Sequence, residues 1–160
     1  MYAIEITTKS TLETAALARA LGQFVRVGDT LLLVGALASG KTFFIQQLVH
    51  SLGSFDRVTS PTYAIANLYQ TNAGPFLHVD AYRISSVAEF RDLGFDELDG
   101  SIVAIEWGEK FQSEFPDSLC IAFAFIEGSA EERRIALSGN DKRWTTELEN
   151  LRAEFQRALP

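Results

Sequence analysis

Residues 31–45 read LLLVGALASGKTFFI, two apolar runs separated by a glycine-bounded segment that ends in Gly40-Lys41-Thr42. The first run has no polar residue on either face, which suits a strand buried on both sides in the middle of a parallel sheet. After it, Phe44, Ile45, Leu48 and Val49 recur at helical spacing, so a helix is expected from about Lys41 to Leu52, with Gly53 just beyond its end. Parallel strands need crossover connections, and a buried strand running into a helix is the first half of one. This stretch commits the chain to an α/β architecture.

The remaining chain fits around that unit. Residues 2–6 alternate as a short strand, and Ser10 with Glu13 forms a capping-box pattern ahead of Leu12, Ala16, Leu17, Ala20, Leu21 and Phe24 at helical spacing. Residues 63–69 and 76–80 read as strands of a hairpin joined by Thr71-Asn72-Ala73-Gly74-Pro75, and 118–126 with 133–137 read as a second. Ser86 is placed to cap a short helix through Leu93, residues 101–106 (SIVAIE) form another apolar strand, and a tail helix carries Leu148, Leu151 and Phe155 on one face. With 160 residues, no linker and no repeat, one domain spanning 1–160 is expected.

The glycine-bounded segment carries the chemistry. Gly35-x-x-x-x-Gly40-Lys41-Thr42 has the spacing of the phosphate-binding loop (P-loop) of nucleoside triphosphatases, in the required strand-before, helix-after context. Backbone N–H groups of residues 35–42 (Gly35, Ala36, Leu37, Ala38, Ser39, Gly40, Lys41 and Thr42) can curl round phosphate oxygens only where side chains leave room, hence the glycines. The positive end of the following helix faces the anion. Lys41 is expected beside the β- and γ-phosphates and Thr42 at Mg²⁺, so a nucleoside triphosphate and Mg²⁺ are the expected cofactors. The expected fold is a P-loop NTPase-like three-layer α/β fold, its central sheet mostly parallel, with antiparallel hairpin additions.

Such a site needs acids at strand ends bordering the same crevice. FLHVD ends at Asp80 and IVAIE ends at Glu106, and a carboxylate closing an apolar strand is costly unless a metal or polar partner receives it. Thr59, Ser60 and Thr62 form a hydroxyl-rich loop after the P-loop helix, read either as approaching Mg²⁺ or phosphate or as a polar surface turn. Trp107 lies beside the crevice or serves packing. Arg83 touches phosphate or pairs with an acid. His78 is read as a strand packing residue, His50 as a helix-surface residue, and the single cysteine, Cys120, as a small buried one.

Together GALASGKT, VTSPTYAIANLY, FLHVDAYRI with EFRDLGFDEL, and IVAIEWGEKF, in this order, resemble the TsaE (YjeE) family, bacterial P-loop ATPases of tRNA threonylcarbamoyladenosine synthesis. The similarity runs over roughly residues 5–137. It implies ATP hydrolysis coupled to a TsaB–TsaD complex that transfers the threonylcarbamoyl group to adenosine of tRNA, with tRNA reached through that complex. It implies Lys41 and Thr42 serving phosphate and Mg²⁺, and residues 59–62 as a switch-like loop. Asp80 becomes the water-orienting acid or general base, Glu106 an acid of the Mg²⁺ shell and Trp107 a neighbour of the nucleotide. Which of Asp80 and Glu106 stands in that shell is open at this stage. Where the family commonly reads GDLGAGKT, this chain has Ala36 for the acid and Ala38 for a glycine, and Ala38 constrains a loop dihedral.

A net charge of −7 repels nucleic-acid backbones at long range, so unaided tRNA binding is disfavoured. The absence of a leader pattern or a membrane-length apolar run leads to the expectation of a cytoplasmic protein without membrane contact. A GTPase is disfavoured because no Asn-Lys-x-Asp segment occurs. Two rivals to a partner-stimulated ATPase are a small-molecule or nucleoside kinase, and a binding module gated by ATP without significant turnover.

Overall fold

The computed structural model describes residues 1–61, 65–94 and 100–159. Strand β2 (Thr30–Gly35) forms the centre, with Leu31, Leu32 and Leu33 no more than 1% exposed. It runs into the loop and then into α2 (Lys41–Ser51). Before it come β1 (Tyr2–Thr8) and α1 (Thr11–Leu21), and after α2 come β3 (Ala66–Thr71), β4 (Gly74–Asp80), α3 (Val87–Asp92) and β5 (Ile102–Glu106). A 3-10 turn (Gly108–Phe111) leads to β6 (Leu119–Phe125), β7 (Arg133–Gly139) and α4 (Lys142–Ala158).

Among the described residues one seven-stranded sheet has the order β1-β7-β6-β2-β5-β4-β3. The middle four strands, β6, β2, β5 and β4, are parallel to one another. The hairpins β3–β4 and β6–β7 bring antiparallel strands to the two edges, and β1 closes one edge against β7. The expected parallel centre with antiparallel additions is present.

The connections explain where a site forms. From β2 the chain crosses through α2 and β3 to β4, passing over β5, and returns to β5 through α3. Leu31 and Leu33 share one core cluster with Phe44 and Leu48 of α2, whereas Leu32 shares the opposite cluster with Phe90 of α3. The two crossovers therefore lie on opposite faces, and the chain reverses direction across the sheet between β2 and β5. Loops leaving the carboxyl ends of two such strands diverge and open a crevice. Helices α1, α2 and α4 cover one face; α3 and the 3-10 turn cover the other.

Local chemistry sets the element ends. Ser10 accepts from the Glu13 N–H while a Glu13 carboxylate oxygen accepts from the Lys9 N–H, and Ser86 and Glu89 repeat the arrangement with Ser85 at α3. In the core Phe44 is fully buried with its ring edge-on to Phe123, 5.4 Å between centroids at 73°. Burying such a side chain contributes about 1.5–3 kcal/mol. The tail helix begins at Lys142, capped by Asp141, and buries Trp144, Leu148, Leu151 and Phe155, so its inner face is core. Strand β7 runs two residues past the expected 137, and Cys120 is half-buried rather than buried. Among the described residues no helix is long and apolar enough to cross a membrane.

Candidate functional site

The segment between β2 and α2 combines three left-handed backbone positions. Gly35 has φ 149°, and a Cβ there would lie 2.7 Å from the Phe123 carbonyl oxygen and 2.8 Å from Ser39 Oγ, so only glycine fits. Gly40 has φ 112° with open space where a side chain would stand. Ala38 takes φ 62° although it carries a Cβ. Gly40 caps α2 without a side-chain acceptor, and the first N–H groups of a helix have no partner within it. Among the described residues the Gly40 N–H has no acceptor either. The result is a run of free amides at the positive end of α2.

These amides border a cavity of about 490 Å³ at the carboxyl ends of β2, β5 and β4. Leu37, Ala38, Ser39, Gly40, Lys41 and Thr42 line one side. Ser60, Asp80, Glu106 and Trp107 line the other, joined by Phe43 and Tyr82. Gly35 and Ala36 stand behind the loop and accept from Lys41 Nζ through their carbonyls at 2.6 and 2.9 Å. Lys41 is 4% exposed, and its ammonium lies 4.0 Å from the Trp107 ring centroid. Burial lowers its pKa from the ordinary lysine value, while the charges of Glu106, Glu109 and Asp80 pull it back up.

Pairing of β4 with β5 sets Asp80 directly opposite Glu106. Glu106 Oε1 accepts from Thr42 Oγ1 at 2.7 Å and lies 2.8 Å from Nε2 of fully buried His78. A carboxylate only accepts, so His78 donates from Nε2. Both bonds fall on one oxygen, which leaves the other for a further partner. Asp80 is held differently: Oδ1 accepts from the Tyr82 N–H at 3.0 Å and Oδ2 from Ser60 Oγ at 3.1 Å.

This donor set fits an anion and a hard cation. Among the described residues Ser39 Oγ is buried without a hydrogen-bond partner, and buried Lys41 has only carbonyl dipoles as its acceptors. Both are arrangements that a phosphate group completes. A hydroxyl and two carboxylates facing one cavity are the oxygen ligands that suit Mg²⁺.

Of the residues singled out in the sequence, Thr59 is exposed and does not line the cavity; its N–H donates to Tyr69 Oη at 3.3 Å. Thr62 lies outside the described residues. Arg83 is exposed and does not line the cavity, while His50 is at the surface as expected. Trp107 has φ 60° and packs against Tyr82 at 5.1 Å between ring centroids.

Three residues escaped the sequence reading. His78, taken as packing, is bonded to Glu106; its position two before Asp80, hence on the same strand face, was the available signal. Tyr82 lies within the FLHVDAYRI segment, but nothing in its spacing marked it for the cavity. Arg133 reaches the loop from β7, donating from Nε to the Ser39 carbonyl at 3.0 Å, a contact between residues 94 apart.

A family model described as "Threonylcarbamoyl adenosine biosynthesis protein TsaE" matches residues 8–135. The chain is 36% identical over 137 residues to the tRNA threonylcarbamoyladenosine biosynthesis protein TsaE of Streptomyces coelicolor, covering 81% of this chain and 93% of that protein. It is 30% identical over 141 residues to the protein of the same name from Bacillus subtilis, covering 87% of each. Among solved structures, the crystal structure of Bacillus subtilis YdiB superposes with a TM-score of 0.76 at 26% identity, over 95% of each chain. Since one profile accounts for the chain from the end of β1 into β7, taking in the loop and both strand-end acids, the chain belongs to the TsaE family.

Proposed function

We propose that this protein binds Mg-ATP in the cavity at the head of α2 and hydrolyses it slowly, in support of a TsaB–TsaD complex that forms threonylcarbamoyladenosine on tRNA. The observation that carries the reading is buried Lys41, its ammonium held on the loop carbonyls beside free loop amides, in one cavity with two strand-end carboxylates. Family membership supports the biosynthetic role. The cytosol is the corresponding site of action.

Bound Mg-ATP supplies the phosphoryl group to be transferred and the divalent charge that polarises it. The loop amides and Lys41 bind and orient the polyphosphate. Thr42 and Glu106 would hold the metal, since His78 and Thr42 fix one Glu106 oxygen and leave the other for a further partner. On this reading Glu106 would belong to the metal shell and Asp80 would serve the water. Asp80, oriented by the Tyr82 N–H at Oδ1, accepts the proton of the attacking water at Oδ2, where Ser60 now donates. Trp107 covers Lys41 and keeps solvent from its ammonium.

Phosphate release with the TsaB–TsaD complex and tRNA added separately tests the reading. The protein alone should turn over slowly and the complex should raise the rate, with tRNA acting only when the complex is present. Equal rates with and without the complex would refute the coupling and favour a kinase or an unrelated ATPase.

A further inference from the structure

Arg133 belongs to no part of the chemistry described above, yet it is the most heavily engaged arginine near the loop. Its Nε donates to the Ser39 carbonyl at 3.0 Å, and one terminal nitrogen donates to the carbonyls of Ala130 and Glu132 at 2.8 and 2.7 Å. The guanidinium carbon lies 4.7 Å from the centroid of the Phe125 ring. Cross-strand pairing with Thr8 on one side and Phe125 on the other fixes its position at the end of the sheet. The guanidinium is therefore held by the scaffold independently of the loop.

The loop needs such a hold. Ala38 has φ 62°, a conformation in which Cβ crowds the backbone and which L-residues other than glycine, asparagine and aspartate rarely adopt. The next residue but one, Gly40, is also left-handed at φ 112°. Between them lies the Ser39 carbonyl that Arg133 grips. A trans peptide points its C=O and the following N–H in opposite directions. Fixing the Ser39 carbonyl on Arg133, which does not line the cavity, turns the Gly40 N–H the other way, and Gly40 does line it.

We infer that Arg133 is a positioning residue for the phosphate-binding loop: its bond to the Ser39 carbonyl holds Ala38 in the left-handed conformation and aims the Gly40 amide at the ligand. This rests on the nucleotide-binding reading above for its consequence, though not for its geometry. The charge-assisted bond to a carbonyl offsets the strain that alanine introduces, so the two positions are coupled.

The experiment is a double-mutant cycle of Arg133→Met and Ala38→Gly, methionine keeping an apolar stem over Phe125. Mg-ATP affinity is read by calorimetry and loop conformation by crystal structures without nucleotide, after thermal unfolding has established that each variant is folded. Arg133→Met should weaken Mg-ATP about tenfold when residue 38 is alanine, and Ala38 should leave the positive-φ region. With glycine at 38, adding Arg133→Met should cost less than about threefold and leave the loop in place. Arg133→Lys, which keeps the charge but not the fork, should bind as weakly as Arg133→Met. Equal losses in both backgrounds, or an unmoved Ala38 in the Arg133→Met crystal, would overturn the inference. If the unaltered protein bound no triphosphate, the proposed function would fall, while the crystal structures would still decide whether Arg133 holds the loop.

Discussion

Replacing Lys41 with methionine separates a ligand-binding charge from a structural one. In the free protein Lys41 is 4% exposed, and its ammonium is bonded to the Gly35 and Ala36 carbonyls and covered by Trp107. Its pKa is lowered because burial outweighs the pull of Glu106, Glu109 and Asp80, so the charged form is under net strain before a ligand arrives. A polyphosphate supplies the missing countercharge. Two unit charges 4 Å apart attract by about 4 kcal/mol at an effective dielectric of roughly 20. Weakening the carbonyl bonds takes back about 1 kcal/mol. The remaining loss of about 3 kcal/mol corresponds to roughly a hundredfold weaker Mg-ATP binding. Methionine keeps the stem against Trp107 and removes a charge that the fold tolerates poorly, so the unfolding midpoint without nucleotide should not fall. Calorimetric titration and thermal unfolding on the same preparation test both halves. Binding within threefold of the unaltered protein, or a midpoint lowered by ten degrees, would refute the reasoning.

The same lysine gives a pH dependence whose sign is fixed. Between its lowered folded pKa and the ordinary lysine value the unfolded chain binds more protons, so the free protein gains stability as pH rises through that window. Mg-ATP affinity should fall over the same window, and Lys41→Met should flatten both trends in calorimetric and unfolding series from pH 7 to 10. Asp80→Asn should lower phosphate release by about a hundredfold or more while calorimetric Mg-ATP affinity stays within threefold, since the amide can still engage Ser60 and the Tyr82 N–H. Glu106→Gln should raise the Mg²⁺ concentration needed for half-maximal ATP binding by about tenfold or more, and an unchanged Mg²⁺ titration would remove it from the metal shell. Phe44→Ala should cost about 4 kcal/mol and lower the unfolding midpoint by roughly 8–16 °C, because it vacates a fully buried site and the edge-on contact with Phe123.

Elements whose signal is local were legible in the chain. Leu31 to Leu33 lack a polar face, Ser10 and Ser86 carry their glutamates three residues on, and each hairpin has turn residues between its strands. The strand-end acids were legible for the same reason: Asp80 and Glu106 are each a charge ending an apolar run. That they face each other was not, because the pairing of β4 with β5 depends on a strand order set by two crossovers. Contacts made across that order were hidden too, wholly for Arg133 at Ser39, while for His78 at Glu106 only the strand face shared with Asp80 was readable. The 3-10 turn after Trp107 has only four residues and depends on packing: a Cβ at Gly108 would come within 2.9 Å of Leu32. The last residues of β7, Ser138 and Gly139, carry little strand preference of their own and are ordered by β1 and β6 on either side.

The pairing of Tyr2 with Gly139 joins the first described strand to the last. During synthesis β1 leaves the ribosome long before β7 exists, and the side of β1 that β7 will cover stays unpaired until that strand has emerged. A fragment ending after β6 would contain the glycine loop and both acids but lack the strand that shields β1. Fragments that stop short of β7 should therefore aggregate or be degraded rather than persist, so that the arrival of this one strand becomes the checkpoint for a lasting fold.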